Sequence, residues 1–154
     1  DIVNAKATAG RVGLVTDVRP PDLTIQADHD RLAQILINLV DNAVKYTPEN
    51  GWVTVRARPL DDGRVELMVR DTGVGIPRAD LPRITERFYR VDKARSRELG
   101  GTGLGLAIVK HLVMAHGGEL AIESEQGEGT TVRVALPGGG TAVASQMALP
   151  IPGV

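Results

Sequence analysis

The fold of this chain follows from one stretch, DRLAQILINLVDNAVKYTP, which runs from residue 30 to residue 48. Asp28 precedes it at a position typical of a helix N-cap, and Pro48 ends it after about five turns. At about 100° per residue, one broad face of this helix is apolar, which predicts that it packs on a core. That face consists of Leu32, Ile35, Leu36, Leu39, Val40, Ala43 and Val44.

The remaining face of the helix carries Asn38, Asn42 and Lys45 at positions i, i+4 and i+7, so their side chains project in one direction. Asparagine costs about half a kcal/mol or more relative to alanine inside a helix, so two asparagines one turn apart are a poor choice for a surface. Amide oxygens beside a lysine suit a hard cation that carries phosphate. On this stretch alone, an ordinary solvated face and a metal–phosphate site both stay open.

Composition narrows the class of protein. The 154 residues are 42% hydrophobic, which is enough for one globular domain with its own core. A formal net charge of −1 gives no overall field that would recruit nucleic acid. No apolar run is long enough to cross a bilayer. The absence of cysteine excludes disulfides and thiolate metal sites, and the three histidines do not form a metal-ligand pattern.

Alternation of apolar and polar residues predicts short strands on either side of two helices. The order is two strands, the central helix, a hairpin, an irregular segment, a second helix and a final hairpin, which indicates an α+β fold with a mixed sheet and helices on one face. The domain is predicted over residues 14–137, after a lead-in (1–13) and before a flexible, uncharged tail (138–154). The strands are predicted at 14–18, 23–26, 53–58, 65–70, 119–124 and 130–136. The second helix is predicted at 103–115, with its core face formed by Leu104, Ile108, Leu112 and Ala115.

A glycine cluster, GGTGLGL at residues 100–106, leads directly into the second helix. Glycines let backbone N–H groups approach an anion, and a helix N-terminus adds about half a positive charge. The preceding segment, 78–102, has no periodicity and is rich in basic side chains, which is typical of a functional or disordered loop. Phosphate binding is expected here, and a flexible hinge is the alternative. The pattern is neither a P-loop nor a Rossmann fingerprint.

The motif DTGVGI, residues 71–76, closes a predicted strand with a carboxylate. An ionised carboxylate only accepts hydrogen bonds, so Asp71 suits an exocyclic amine such as that of adenine. Gly73 and Gly75 are expected to leave room for a flat ring. A plain turn that begins with aspartate is the alternative for this motif alone.

Together and in this order, five stretches resemble the ATP-binding catalytic domain of bacterial sensor histidine kinases, in the GHKL ATPase superfamily. The resemblance covers about residues 12–137. It implies a two-layer α/β sandwich in which about five mostly antiparallel strands carry about three helices, with a mobile ATP lid over residues 78–102. The matching stretches are 38–46, 71–76, 86–90, 101–105 and 127–130.

The resemblance implies a role for each motif in binding ATP and Mg²⁺. Asn42 would ligate Mg²⁺ with the help of Asn38, Lys45 would contact phosphate, and Asp71 would read the adenine amine. The implied catalytic residues are Asn38, Lys45, Arg87 and Arg90. The other implied nucleotide contacts are Tyr46, Gly73, Gly75, Ile76, Gly101, Thr102, Gly103, Leu104, Gly105 and Thr130.

Two positions separate this chain from others of the superfamily. The hydrolysing relatives carry a glutamate where Asn38 stands, as the general base for water. An amide takes no proton at neutral pH, so Asn38 favours transfer to a protein side chain over hydrolysis. The family usually has phenylalanine where Thr85 stands, and loss of that ring is expected to loosen the lid without removing a nucleotide ligand.

No phosphoacceptor histidine motif occurs in the sequence. The resemblance therefore implies transfer of the γ-phosphoryl to a histidine in a separate helical dimerisation and phosphoacceptor domain, expected upstream of residue 1, with a cognate response regulator as the further partner. The domain alone is expected to be monomeric and unable to autophosphorylate. Its parent is expected to be a homodimeric inner-membrane sensor with this domain in the cytoplasm. The alternatives are a serine kinase of an anti-sigma system and a nucleotide-binding module without catalysis.

Overall fold

The structure, a computed structural model, describes residues 11–86 and 105–147. Within these ranges the chain forms strands, helices and one short 3₁₀ turn. In chain order they are β1 (Gly13–Val18), β2 (Thr24–Ile25), α1 (His29–Lys45), β3 (Trp52–Pro59), β4 (Arg64–Asp71), the 3₁₀ turn (Leu81–Arg83), α2 (Gly105–Ala115), β5 (Glu119–Glu125), β6 (Gly129–Pro137), β7 (Thr141–Ala142) and α3 (Val143–Met147).

Five of these strands form one sheet in the order β1-β3-β4-β6-β5. β1 and β3 run parallel, as their connection through α1 allows, and the other neighbours are antiparallel. Valine, leucine and alanine alternate with polar residues along β3, β4 and β6, so one face of the sheet is apolar. The predicted α+β fold with a mixed, mostly antiparallel sheet of about five strands is confirmed.

The central helix α1 agrees with its prediction. The side chain of Asp28 accepts a hydrogen bond from the Arg31 N–H at 3.2 Å and so caps the helix. All seven residues of the predicted apolar face are buried, and they join the apolar face of the sheet in one core. The helix ends at Lys45, three residues before Pro48, and Thr47 Oγ1 then donates to the Ala43 carbonyl at 2.6 Å.

The core face predicted for α2 is only partly correct. Leu112 is buried as predicted, and the half-buried Ile108 packs against the core, but Ala115 is exposed. The other buried residues of the helix are Leu106, Val109 and Val113. Leu104 lies outside the described residues. Apolar side chains surround most of this helix, so the sequence pattern alone does not define one face. Its contacts with α1 and the sheet decide the orientation instead.

The predicted domain boundaries also differ from the structure. Val12 is buried and Gly13 begins β1, so the domain starts before residue 14. Part of the segment predicted as a flexible tail, residues 141–147, forms β7 and α3. β7 pairs with β2, and the buried Val143 donates its N–H to the Leu23 carbonyl at 3.0 Å. The small uncharged side chains that suggested disorder allow this close packing. Residues 148–154 lie outside the described part of the chain.

We expect the substitution Val143→Ala to lower the free energy of unfolding by about 2 kcal/mol, because it removes buried methyl groups and leaves a cavity. Val15→Ala is the matched control, since the Val15 side chain is 43% exposed, and its effect should stay within about 0.5 kcal/mol. Urea denaturation followed by circular dichroism measures both. Equal effects of the two substitutions would contradict the packing of the C-terminal segment.

Candidate functional site

The polar face of α1 lies at the border of the core. Asn38, Asn42 and Lys45 are each half-buried. Asn38 Nδ2 is fully buried, yet within the described residues it has no hydrogen-bond partner. An unpaired buried amide costs free energy, so such groups are rare unless a ligand or water satisfies them. The stripe is therefore not an ordinary solvated face.

Lys45 is held in place by Asp41, one turn earlier on the same helix. Its ammonium Nζ lies 3.1 Å from Asp41 Oδ2, and the two side chains are only 27% and 21% exposed. An ammonium has three donors, so one bond to Asp41 leaves Lys45 able to meet a phosphate oxygen as well. The sequence interpretation gave Asp41 no role in the site, although its i,i+4 spacing from Lys45 is the usual signal of such a pair.

Asp71 lies at the end of β4, and the residue is 8% exposed. Its Oδ1 accepts the Gly73 N–H at 2.8 Å and the Thr130 N–H at 3.2 Å. In the part of the chain that the structure describes, Oδ2 accepts no hydrogen bond. Burial raises the pKa of this carboxyl above its ordinary value, although the two N–H donors act in the opposite direction. Asp71 thus presents one acceptor oxygen to a ligand.

The glycines after Asp71 have a different steric role from the one predicted. A Cβ on Gly73 would collide with the Tyr46 carbonyl oxygen. A Cβ on Gly75, whose φ is +73°, would collide with the backbone of Glu125. Neither Cβ would point into an open space for a flat ring. The glycines instead let the loop lie against α1 on one side and the end of β5 on the other.

Ser124 connects this loop to the strand beside it. Its Oγ accepts the N–H of Ile76 at 2.8 Å and lies 2.9 Å from both the Gly129 carbonyl oxygen and Thr130 Oγ1. Ile76 itself is buried. Ile76 and Thr130, both predicted site residues, are therefore joined through a serine that the sequence interpretation missed. A serine on the inward side of a strand, opposite a threonine, was the available signal.

The two halves of the site meet at Tyr46, directly after α1. The Tyr46 carbonyl accepts the N–H of Val74 at 3.2 Å, which ties the end of the helix to the loop of Asp71. This bond links the helix that carries the predicted phosphate-binding face to the loop that follows the predicted base-binding carboxylate. Gly105, also predicted to contact nucleotide, is the first residue of α2 as the structure describes it. The other predictions lie outside the described residues: Arg87, Arg90, Gly101, Thr102, Gly103 and Leu104.

The arrangement fits a magnesium ion that is shared with phosphate. Within residues 11–86 and 105–147, no group of three or more histidine, aspartate or glutamate side chains is placed to hold a metal. Mg²⁺ bound to a nucleotide needs only one or two protein oxygens, because phosphate and water supply the rest. The amides of Asn38 and Asn42 would provide hard oxygen ligands, and a phosphate oxygen would be an acceptor for the unpaired Asn38 Nδ2.

The sequence of this chain is similar to known ATPase and sensor kinase sequences. A family model described as "Histidine kinase-, DNA gyrase B-, and HSP90-like ATPase" matches residues 27–140. The sensor histidine kinase WalK of Bacillus subtilis is 45% identical over 127 residues, which are 82% of this chain and 21% of that protein. The phosphate regulon sensor protein PhoR of Pseudomonas aeruginosa is 44% identical over 124 residues, which are 80% of this chain and 28% of that protein. The chain thus spans less than a third of the length of either relative.

Solved structures show the same fold. The mycobacterial sensor histidine kinase MprB superposes with a TM-score of 0.74 and 34% identity, over 89% of this chain and 93% of that chain. ShkA, solved in complex with AMPPNP, gives a TM-score of 0.76 and 37% identity, over 93% of this chain and 29% of that chain. The family resemblance predicted from the five motifs is confirmed. No helix within the described ranges has the length and apolar character needed to cross a membrane.

The raised pKa of Asp71 predicts how stability depends on pH. The folded protein holds the Asp71 proton more tightly than the unfolded chain does, so this group's contribution to the free energy of unfolding falls as pH rises from the ordinary aspartate pKa towards the raised value. Asp71→Asn keeps an oxygen at Oδ1 and removes the buried charge. We therefore expect the variant to gain stability over the wild type at pH 7, and to gain less at about pH 4.

Asp62→Asn is the control of opposite sign. Hydrogen bonds from the backbone N–H and then the side chain of Arg64 lower the pKa of the exposed Asp62 carboxyl. Removal of that charge should cost a little stability at pH 7, and the cost should shrink as pH falls through the lowered pKa. Urea denaturation of both variants and the wild type across this pH range provides the measurement. If the difference in free energy of unfolding between Asp71→Asn and the wild type did not change with pH, Asp71 would not be a buried carboxylate that ionises in this range.

Proposed function

The chain belongs to the family of histidine kinase-, DNA gyrase B- and HSP90-like ATPases, and on that premise we propose that it is the ATP·Mg²⁺-binding catalytic domain of a two-component sensor histidine kinase. One observation carries the proposal. The face of Asn38, Asn42 and Lys45 joins the loop of Asp71 through the bond between the Tyr46 carbonyl and the Val74 N–H. A nucleotide that spans this surface has its phosphates at the helix and its base at the carboxylate.

The base end of the site suits adenine. Asp71 Oδ2 is an acceptor beside the protein interior, and the 6-amino group of adenine is a donor. A hydrogen bond to the ionised carboxylate is charge-assisted. Because the carboxylate is buried, water competes little with that bond. A base with a carbonyl oxygen at that position would place two acceptors against each other, so the site favours adenine nucleotides over guanine nucleotides.

The phosphate end suits a nucleotide loaded with magnesium. Asn42 and Asn38 would hold the ion, which when bound neutralises phosphate charge during transfer. Lys45, which pairs with Asp41, would donate to a phosphate oxygen. We include Arg87, Arg90 and the glycines Gly101, Gly103 and Gly105 as residues of an ATP lid that closes over the phosphates. Thr102 and Leu104 belong to the same lid segment in this proposal.

The proposed reaction is transfer of the γ-phosphoryl to a histidine of another domain. Asn38 cannot accept a proton from water, so the helix lacks the general base that hydrolysis at this place requires. Similarity to full-length sensor kinases such as WalK and PhoR supports a helical dimerisation and phosphoacceptor domain as the first partner, with a response regulator as the second. The proposed location is the cytoplasm, within a homodimeric membrane sensor.

The substitution Asn42→Ala should abolish the Mg²⁺-dependent part of the affinity for AMPPNP, because it removes a proposed metal ligand. Calorimetric titration with and without Mg²⁺ measures this. Gln34→Ala is the matched control, since it removes an amide about 12 Å away along the same helix. If Asn42→Ala bound AMPPNP·Mg²⁺ as tightly as Gln34→Ala, the assignment of the metal site would be wrong.

Phosphotransfer separates kinase activity from its alternatives. We expect the chain, mixed with radiolabelled ATP, Mg²⁺ and the helical phosphoacceptor domain of a relative, to transfer label to that domain's histidine. A phosphohistidine is acid-labile, and the label should disappear when the acceptor histidine is replaced by alanine. Acid-stable label would indicate a serine kinase. Nucleotide binding without any transfer would indicate a binding module.

A further inference from the structure

Three polar side chains form a row across one end of the sheet. Ser124 of β5 is paired with Thr130 of β6, and Thr130 is paired with Asp71 of β4. The buried residues two positions along these strands, such as Val69 and Val132, face the helices, so the row faces the same side. The row therefore lies on the side of the sheet that carries the proposed nucleotide site.

Only one arrangement of protons satisfies every hydrogen bond of Ser124. A serine hydroxyl has one proton to donate and two lone pairs that accept. The Gly129 carbonyl, 2.9 Å away, can only accept, so it takes the proton of Ser124. The Ile76 N–H occupies one lone pair at 2.8 Å. The contact of 2.9 Å with Thr130 Oγ1 then requires that Thr130 donates its own proton to Ser124.

This arrangement determines what Thr130 can offer to a ligand. With its proton committed to Ser124, the Thr130 hydroxyl can only accept a further hydrogen bond. Its neighbour Asp71, whose Oδ1 accepts the Thr130 N–H at 3.2 Å, also offers only an acceptor. The row thus presents two acceptors side by side and no donor.

We propose that Ser124 is a positioning residue for base recognition: its hydroxyl fixes Thr130 as an acceptor, and so the site selects a purine with an amino group at position 6. This inference rests on the proposed ATP site and adds a determinant of its specificity. A 6-amino group has two N–H donors for the two acceptors, directly or through a water. A 6-oxo group has none, and its acceptor oxygen would face two others.

Without Ser124, Thr130 could rotate its proton towards the ligand. A threonine with a mobile proton can donate to a 6-oxo group as readily as it accepts from a 6-amino group. Loss of the Ile76 N–H partner would also weaken the loop, and that effect would lower the affinity for both kinds of base. The ratio of the two affinities therefore separates positioning from a purely structural role.

The test is calorimetric titration of the whole chain with ADP and with IDP, its 6-oxo analogue, in the same Mg²⁺ buffer. The wild type should prefer ADP. Ser124→Ala should lower the ratio of ADP affinity to IDP affinity about tenfold, the value of one hydrogen bond. Thr131→Ala is the matched control, because Thr131 lies on the opposite face of β6, and it should leave the ratio unchanged. Circular dichroism verifies the fold of each variant.

A double-mutant cycle decides whether Ser124 acts through Thr130. Thr130→Val keeps the shape of the side chain and removes the hydroxyl, so it should also lower the ratio. The double variant Ser124→Ala/Thr130→Val should lower the ratio no further than Thr130→Val alone. Additive losses would overturn the inference, and so would an equal fall of both affinities in Ser124→Ala. If Ser124→Ala does not fold, Thr130→Val still provides a test. A ratio of ADP affinity to IDP affinity that is unchanged in Thr130→Val would overturn the inference.

The outcomes for the wild type distinguish the two proposals. If the wild type binds ADP and IDP equally, or binds neither, the adenine site itself is wrong and the role of Ser124 falls with it. If the wild type prefers ADP but Ser124→Ala keeps the full preference, only the role of Ser124 is wrong.

Discussion

Burial of the apolar face of α1 against the sheet is the constraint on which the rest of the structure depends. Rotation of the helix about its axis would expose its buried leucine, isoleucine and valine side chains, at a cost of about 25 cal/mol per Å² of apolar surface. Because the orientation of α1 about its axis is fixed in this way, Asn38, Asn42 and Lys45 stay at the edge of the core. It also brings Tyr46, at the end of the helix, into contact with the loop of Asp71.

The site contains two polar groups that folding alone leaves in an unfavourable state. Asp71 is a buried carboxyl with a raised pKa, and the buried Asn38 Nδ2 has no partner among the described residues. Each lowers the stability of the unliganded protein, and each would be satisfied by a different end of an adenine nucleotide. Such groups are common at functional sites, where the surrounding fold compensates for their cost. Nucleotide binding should therefore also stabilise the fold.

A shared fold does not by itself fix the reaction within this family, because function resides in a few side chains. In the proposed function the difference would lie at Asn38, an amide at the position where the resemblance implies a general base in the hydrolysing members. The hydrogen-bonded row of Ser124, Thr130 and Asp71 would act on another part of the nucleotide and govern which base enters. In these proposals, reaction type and base selectivity would be controlled by separate elements, α1 and the end of the sheet.

The sequence by itself determined most of the elements and the polar face of α1. The apolar period of α1, the strand alternation and the Asp28 cap are local patterns, so the α+β fold and the Asn38 face could be read directly. The tertiary structure alone decided the buried face of α2, the packing of Val143, and the link from Ser124 to Thr130. These depend on contacts between segments far apart in the chain. The local sequence of a nearly uniformly apolar helix, of an uncharged tail or of a single serine does not show which distant residues that segment contacts.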